Sequence, residues 1–280
     1  MINQDEILQK IENENSYLLS GIGGSGKTTL AQEIVKQCIE KSCPEYANLY
    51  PNNYPDYIYM KGGKVEDIHN LISKLSLKPY YTQYYVVLDN FNEVTFQGQN
   101  LLLKVLEESK VMFILVNNDD SRILKTINSR CCKITPKLLS KQQIYDVLIK
   151  DYSDVDISKG EPFSKEYIEL VSELSNGSLG KGIKYLQNPI FKDFIYDLKN
   201  PKEKDFFLIA SKYKDYTEER SEFFYLIEII TREKMYLGDN DVKSKCFDLI
   251  LKMTNYKKQF INNANAQMIF QNIFMDFFKI

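Results

Sequence analysis

Apolar and polar positions follow two periods along the first half of the chain. Residues 16–21 read as a short buried strand (Tyr17, Leu18, Leu19) running into a glycine-rich turn, and residues 27–41 then carry Leu30, Ile34, Val35 and Ile39 at the spacing of one helical face. Residues 43–64 are rich in Pro and Gly, with room for one strand at 57–60. Val65, Ile68, Leu71, Ile72 and Leu75 predict a helix over 65–75, and apolar strands at 84–88 and 112–116 flank a helix at 97–107. Strands that are apolar throughout and alternate with helices predict an α/β fold, a parallel sheet covered on both faces.

The strand signal stops after Pro136. Residues 140–151, 164–175 and 179–186 read as amphipathic helices, the first two opened by a Ser placed to cap them. Asn188-Pro189 suggests a boundary, and the remainder is helical by pattern. It ends in 260–280, where Phe270, Ile273, Phe274 and Phe277 repeat at i, i+3, i+4 and i+7. The expected division is an α/β core over 1–138, a small helical lid over 139–188 and an all-α C-terminal domain over 189–280.

Composition narrows the chemistry. With 280 residues, 44% of them hydrophobic, the chain can bury a core, and 36 basic against 38 acidic side chains leave no cationic field for binding nucleic acid through net charge. No apolar run approaches the roughly 20 residues of a membrane helix. The polar, mixed-charge residues 1–15 fit neither a secretory signal nor a transit peptide, so a cytoplasmic location is expected. Five cysteines without a CxxC pair speak against a disulfide framework. The single histidine, His69, on a face that is otherwise polar, reads as a surface residue, and its isolation excludes multi-histidine metal sites.

Gly21, Gly26, Lys27 and Thr28 satisfy GxxxxGK[ST] between a predicted strand and a predicted helix, and Gly23 and Gly24 let backbone N–H groups turn toward phosphate. The loop, with Ser25 and Thr29, is expected to cradle ATP. Lys27 would reach the β- and γ-phosphates and the Thr28 hydroxyl would ligate Mg2+. Asp89 closes the apolar strand VVLD and supplies the acidic partner for the metal's water shell. In hydrolysing P-loop proteins a glutamate usually follows, whereas here Asn90 stands there, an amide that can orient a water but cannot accept its proton. Glu93 is a nearby carboxylate of unknown geometry.

Several further strings, in order, resemble the clamp-loader branch of the AAA+ ATPases, and within it the delta-prime family of bacterial DNA polymerase III subunits. Residues 53–56 (NYPD) look like NHPD, 89–95 (DNFNEVT) like DxADxMT, and 99–108 (QNLLLKVLEE) like QNALLKTLEEP with Ser109 for the proline. Residues 113–118 (FILVNN) are similar to the strand carrying sensor 1, which puts Asn117 or Asn118 near the γ-phosphate. Ser129-Arg130-Cys131 is the SRC motif, whose arginine in that family reaches a neighbouring subunit's ATP. Residues 177–186 (GSLGKGIKYL) look like GSPGKALxLL, with Gly180 where motor subunits carry the sensor 2 arginine, and 263–274 (NANAQMIFQNIF) are similar to a collar-helix pattern with Gln271 for glutamate.

The resemblance implies a P-loop AAA+ core, a helical lid and a helical collar. It implies a subunit that binds ATP weakly or without efficient hydrolysis, supplies Arg130 as a finger in trans, and works with gamma/tau-like and delta-like subunits. The sliding clamp and primed DNA would be reached through the assembled complex, without a membrane. The family's four-cysteine zinc module has only Cys38 and Cys43 in its interval, too few for a tetrahedral site, so no zinc is expected. The apolar face of Phe270, Ile273, Phe274 and Phe277 serves either the collar contact or the domain's own core. Arg130 has the alternative of a loop arginine paired with a carboxylate. A nucleotide-switch signalling ATPase of the STAND type, and a scaffold that keeps its P-loop only as a fold element, are the other readings of the chain.

Overall fold

A computed structural model describes residues 16–46, 51–107, 111–152, 163–200, 206–261 and 265–280. The expectations for residues 1–15, for Glu108 and Ser109, and for Asn263 lie outside them. The chain forms two compact units, Met1–Val147 with Ser175–Lys181, and Leu148–Leu174 with Gly182–Ile280.

The first unit is built on strands β1 (Ser16–Ser20), β2 (Tyr57–Lys61), β3 (Tyr84–Asp89), β4 (Val111–Asn117) and β5 (Cys132–Ile134). They form one sheet in the order β2-β3-β4-β1-β5, each neighbouring pair parallel. The connecting helices are α1 (Lys27–Ser42), α2 (Val65–Leu75), α3 (Phe96–Leu106) and the single turn α4 (Lys125–Asn128). Because successive strand residues face opposite ways, each central strand feeds two cores. Leu18, Val86, Leu88, Phe113 and Leu115 pack with Ile68, Leu71, Leu102 and Val105 on one face. Tyr17, Leu19, Tyr85, Val87, Ile114 and Val116 pack with Leu30, Ile34 and Val35 on the other.

The strands and helices expected from periodicity are present with ends shifted by a residue or two, and α2 falls where its apolar spacing puts it. The three-residue β5 is an addition; it pairs with β1 alone and has no apolar pattern to announce it.

Two polar side chains hold the loops of this sheet. Gln99, fully buried in α3, donates to the carbonyls of Val94 (3.1 Å) and Arg122 (2.8 Å) and accepts from the Leu124 N–H (2.9 Å). Asp56 accepts the N–H groups of Tyr80 and Tyr81 at 2.8 and 2.7 Å. Around it, Tyr46 and Tyr54, which follow α1, and Tyr81 and Tyr85, which follow α2, make a chain of ring contacts 5.3 to 5.8 Å between centroids, with the buried Cys43 against Tyr54. His69 is exposed on α2.

The remaining helices are α5 (Lys141–Tyr152), α6 (Lys165–Leu174), α7 (Leu179–Gln187), α8 (Pro189–Lys199), α9 (Phe206–Tyr213), α10 (Arg220–Leu237), α11 (Asn240–Ile261) and α12 (Ala266–Phe277). The helical pattern expected at the C-terminal end is carried by α11 up to Ile261 and by α12, which Asn265 caps by accepting from the N–H groups of Gln267 and Met268. Pro189 opens α8 behind the Asn188 cap, where its missing N–H costs nothing.

The core of the second unit is aromatic. Phe194 stacks on Phe223 with centroids 4.2 Å apart and meets Tyr213 edge-on at 4.7 Å, while the Tyr213 hydroxyl donates to Asp197 at 2.7 Å. Phe270, Ile273, Phe274 and Phe277 are all fully buried, Phe270 against Phe223 and Phe224, and Phe274 against Phe194. Of the two readings of the apolar face of α12, the unit's own core is the one the contacts show. Among the described residues, no helix is long and apolar enough to cross a membrane.

Candidate functional site

Parallel strands deliver their C-terminal ends to one edge of the sheet, and the predicted nucleotide residues gather there. β1 ends at Ser20 and passes into Gly21, Ile22, Gly23, Gly24, Ser25 and Gly26 before α1 begins at Lys27. Gly26 caps α1 in the left-handed region (φ 82°), and the helix has neither a side-chain cap nor an acidic residue in its first turn. A 16-residue helix thus presents the positive end of its dipole with no acidic residue of its own in the first turn, which fits a phosphate.

Lys27 is almost fully buried, and its ammonium donates to the carbonyls of Gly21 (2.8 Å) and Ile22 (2.5 Å). Burial lowers its pKa to about 8, partly offset by the Asp89 carboxylate. The ammonium is charged below that value and loses its proton above it. Nucleotide affinity, which gains from a charged lysine beside phosphate, is expected to fall as pH rises through 8, becoming about tenfold weaker at pH 9 than at pH 7. A fluorescent-nucleotide titration across that range checks it, and a flat profile refutes it.

The Thr28 hydroxyl donates to Asp89 Oδ2 at 3.2 Å, so the two predicted metal-holding groups meet across the gap between α1 and β3. Two hard oxygen donors beside a phosphate cradle fit Mg2+. Thr29 follows in the same first helical turn. Asp89 is also tied by the Asn90 N–H to Oδ1 (2.9 Å) and by a group absent from the expectations, the Tyr59 hydroxyl, to Oδ2 (2.8 Å). Tyr59 comes from β2, in register two residues ahead of Lys61, the pairing partner of Asp89. Burial, then the hydrogen bond to Asp89, pushes its pKa up to about 12.

Asn90 has a left-handed backbone (φ 50°), a conformation Asn tolerates better than most residues. Its amide donates to Glu93 at 3.0 Å and accepts from the Asn118 amide at 3.3 Å. The two sensor candidates separate. Asn117, level with Ser20 in the sheet, is fully buried, donates to Asp120 at 2.7 Å and accepts from the Asp119 N–H at 3.1 Å. Asn118 is exposed beside Asn90. Asp120 also receives Ser20 and, at 2.5 Å, Lys133.

The turn leading into α7 docks on the P-loop. Gly180 N–H donates to the Gly24 carbonyl at 3.0 Å and the Ser178 hydroxyl to the Gly23 carbonyl at 2.9 Å. A Cβ on Gly180 would stand 2.8 Å from Gly24 Cα, and one on Gly24 (φ 76°) would stand 2.5 Å from Ser178 Oγ. The approach needs glycine on both sides, and that explains why no arginine can occupy position 180 in this arrangement. The paired glycines were legible as motifs, but not their contact.

Arg130 is elsewhere. It lies two residues before β5, whose first residue pairs with Tyr17, so it emerges at the N-terminal edge of the sheet, about 20 Å from the start of the P-loop at the usual strand rise. There its Nε donates to Glu107 at 2.6 Å and its guanidinium to the Thr126 carbonyl at 3.1 Å. The carboxylate-paired alternative describes its present contacts.

A family model described as DNA polymerase III, delta subunit, matches residues 3–139. The chain is 28% identical to the DNA polymerase III subunit gamma of Buchnera aphidicola (Schizaphis graminum strain) across 67% of its own length and 57% of that protein. It is 22% identical to the DNA polymerase III subunit delta' of Bacillus subtilis, covering 95% of this chain and 91% of that one. The chain spans 57% of the first gamma relative and only 32% of the gamma/tau relative from Mycoplasma genitalium. In structure it is similar to a gamma subunit-related protein of Thermotoga maritima, with a TM-score of 0.56 at 16% identity and 99% coverage of both chains. The α/β core on a parallel sheet, followed by a helical C-terminal part, is the fold class that the sequence predicts.

Proposed function

We propose that the chain is a clamp-loader subunit of the bacterial DNA polymerase III kind, delta-prime-like, that lends an arginine to a neighbour's nucleotide and helps load the sliding clamp onto primed DNA. Its partners in this reading are gamma/tau-like and delta-like subunits, in the cytoplasm, with DNA met through the assembled complex. Residues 1–138 act as the nucleotide-binding core, 139–188 as the lid and 189–280 as the collar. With Phe270 and its neighbours internal, the collar contact with adjoining subunits would use apolar residues left exposed, such as Phe247 and Leu251 one turn apart on α11.

The observation that carries the reading is the position of Arg130 on the sheet edge opposite its own P-loop. An arginine there serves another chain's nucleotide or none. The chain's own site supports binding without efficient turnover. Lys27 and the α1 N-terminus would hold the phosphates of ATP, Thr28 and Asp89 would hold Mg2+, and Asn117 or Asn118 would sense the γ-phosphate. When bound, the metal neutralises charge on the phosphate oxygens. Asn90 can orient a water but has no basicity to take its proton, and Gly180 provides no cation over the γ-phosphate.

Purified protein alone is therefore expected to turn over ATP at background rate, while co-purifying with a sliding clamp and a gamma/tau-like subunit from its source. Robust intrinsic hydrolysis refutes the first part. Failure to capture either partner refutes the second.

A further inference from the structure

Asp89 is the residue on which the metal side of the nucleotide reading depends, and its carboxylate is crowded. Oδ2 accepts two hydroxyls, Tyr59 at 2.8 Å and Thr28 at 3.2 Å, and Oδ1 accepts the Asn90 N–H at 2.9 Å. A carboxylate offers about four acceptor positions, two per oxygen, so both positions of Oδ2 are taken. The two hydroxyls are not equivalent. Thr28 is itself an oxygen that a metal can use, and rotating its hydroxyl turns donor into ligand. Toward the carboxylate the Tyr59 hydroxyl acts as a donor.

The tether follows from the sheet. Parallel pairing sets Tyr59 opposite Val87 and Lys61 opposite Asp89, so the long tyrosine side chain runs two residues along one sheet face to the end of β3. Tyr59 is 41% exposed and Asp89 only 8%, which places the phenol between the carboxylate and solvent. A hydrogen bond from a neutral donor to an ionised acceptor is among the stronger ones.

We propose that Tyr59 is a positioning residue whose hydroxyl holds Asp89 back from the metal's water shell by occupying one of its acceptor positions, and so limits how strongly nucleotide binding by this chain depends on Mg2+. The proposal rests on the reading of Lys27, Thr28 and Asp89 as a nucleotide site. Tyr59 restrains Asp89 without touching phosphate, so its effect is confined to the metal-dependent part of affinity.

The test titrates a fluorescent ATP analogue into wild-type protein and Tyr59→Phe, each in Mg2+ and in EDTA. Phenylalanine keeps the ring and removes only the hydroxyl. The ratio of affinity in Mg2+ to affinity in EDTA is expected to rise about five- to tenfold in the variant, the usual net worth of one hydrogen bond, with affinity in EDTA unchanged within about twofold. In wild-type protein with 13Cζ-labelled tyrosine, the Tyr59 signal, identified by its loss in the variant, is expected to move on adding the analogue with Mg2+ and to stay with the analogue in EDTA. An unchanged or smaller ratio, or a signal indifferent to Mg2+, overturns the tether while leaving the nucleotide site standing. Absence of binding by both proteins in both buffers overturns the nucleotide reading and the tether with it.

Discussion

Arg130→Ala is expected to lower the ATPase rate of a loader reconstituted with its motor subunits by at least about tenfold, while nucleotide binding by this chain stays as in wild type. An arginine finger contributes about 10³ to 10⁵ in rate in the analogous GTPases, and other sites in the same assembly dilute what steady-state turnover reads. The observed pairing with Glu107 does not stand in the way. Both partners are substantially exposed, 34% and 57% by side chain, and exposed pairs contribute about 0 to 1 kcal/mol, at most a factor of about five against release. A finger worth several kcal/mol in the transition state outweighs it. Glu107→Ala, which removes the pair and keeps the guanidinium, is the control and should leave the rate within about fivefold. Arg130→Lys should not rescue, because an ammonium lacks the planar fork that meets phosphate oxygens in pairs. A complex carrying Arg130→Ala that hydrolyses ATP like wild type removes the finger role and leaves the arginine as a surface ion pair.

What the sequence made legible was local, and the rest depended on partners distant along the chain. The β1–loop–α1 unit is contiguous, and its glycines, lysine and helical spacing are read in one pass. The four apolar positions of α12 were visible as a face, but periodicity says only that a face is buried, not against what. Phe194 and Phe223, far earlier in the chain, decide that it is the unit's own core. β5 has three residues, two of them exposed, and exists because β1 offers it an edge. Arg130 could be placed on the far edge only once that pairing fixed where β5 begins. Tyr59 carried no signal at all, since an exposed tyrosine in a short strand looks the same whether or not the parallel register brings an aspartate to its hydroxyl. Gly180 was noticed for the arginine it lacks. The physical reason, backbone packed on backbone at Gly24, needed coordinates.

Lys27→Ala is expected to weaken nucleotide binding by this chain at least about a hundredfold, and the size of the effect follows from burial. Removing one member of a buried charge pair costs about 2 to 5 kcal/mol, which spans roughly thirty- to several-thousandfold in affinity. Lys27 is 3% exposed, so little water could stand in for the ammonium beside phosphate. The variant also deprives the carbonyls of Gly21 and Ile22 of their donor, at about 1 to 3 kcal/mol for each group left unsatisfied. A thermal melt without nucleotide is therefore run beside the titration, so that a collapsed loop is told apart from a missing charge. If the variant folds, loses nucleotide and still assembles with its partners, the P-loop is a working site in a subunit whose place in the ring does not depend on it. If affinity stays within about threefold of wild type, the loop is a fold element only. The chain would then act through Arg130 alone, and the pH dependence expected from a lysine with a pKa of about 8 would vanish with it.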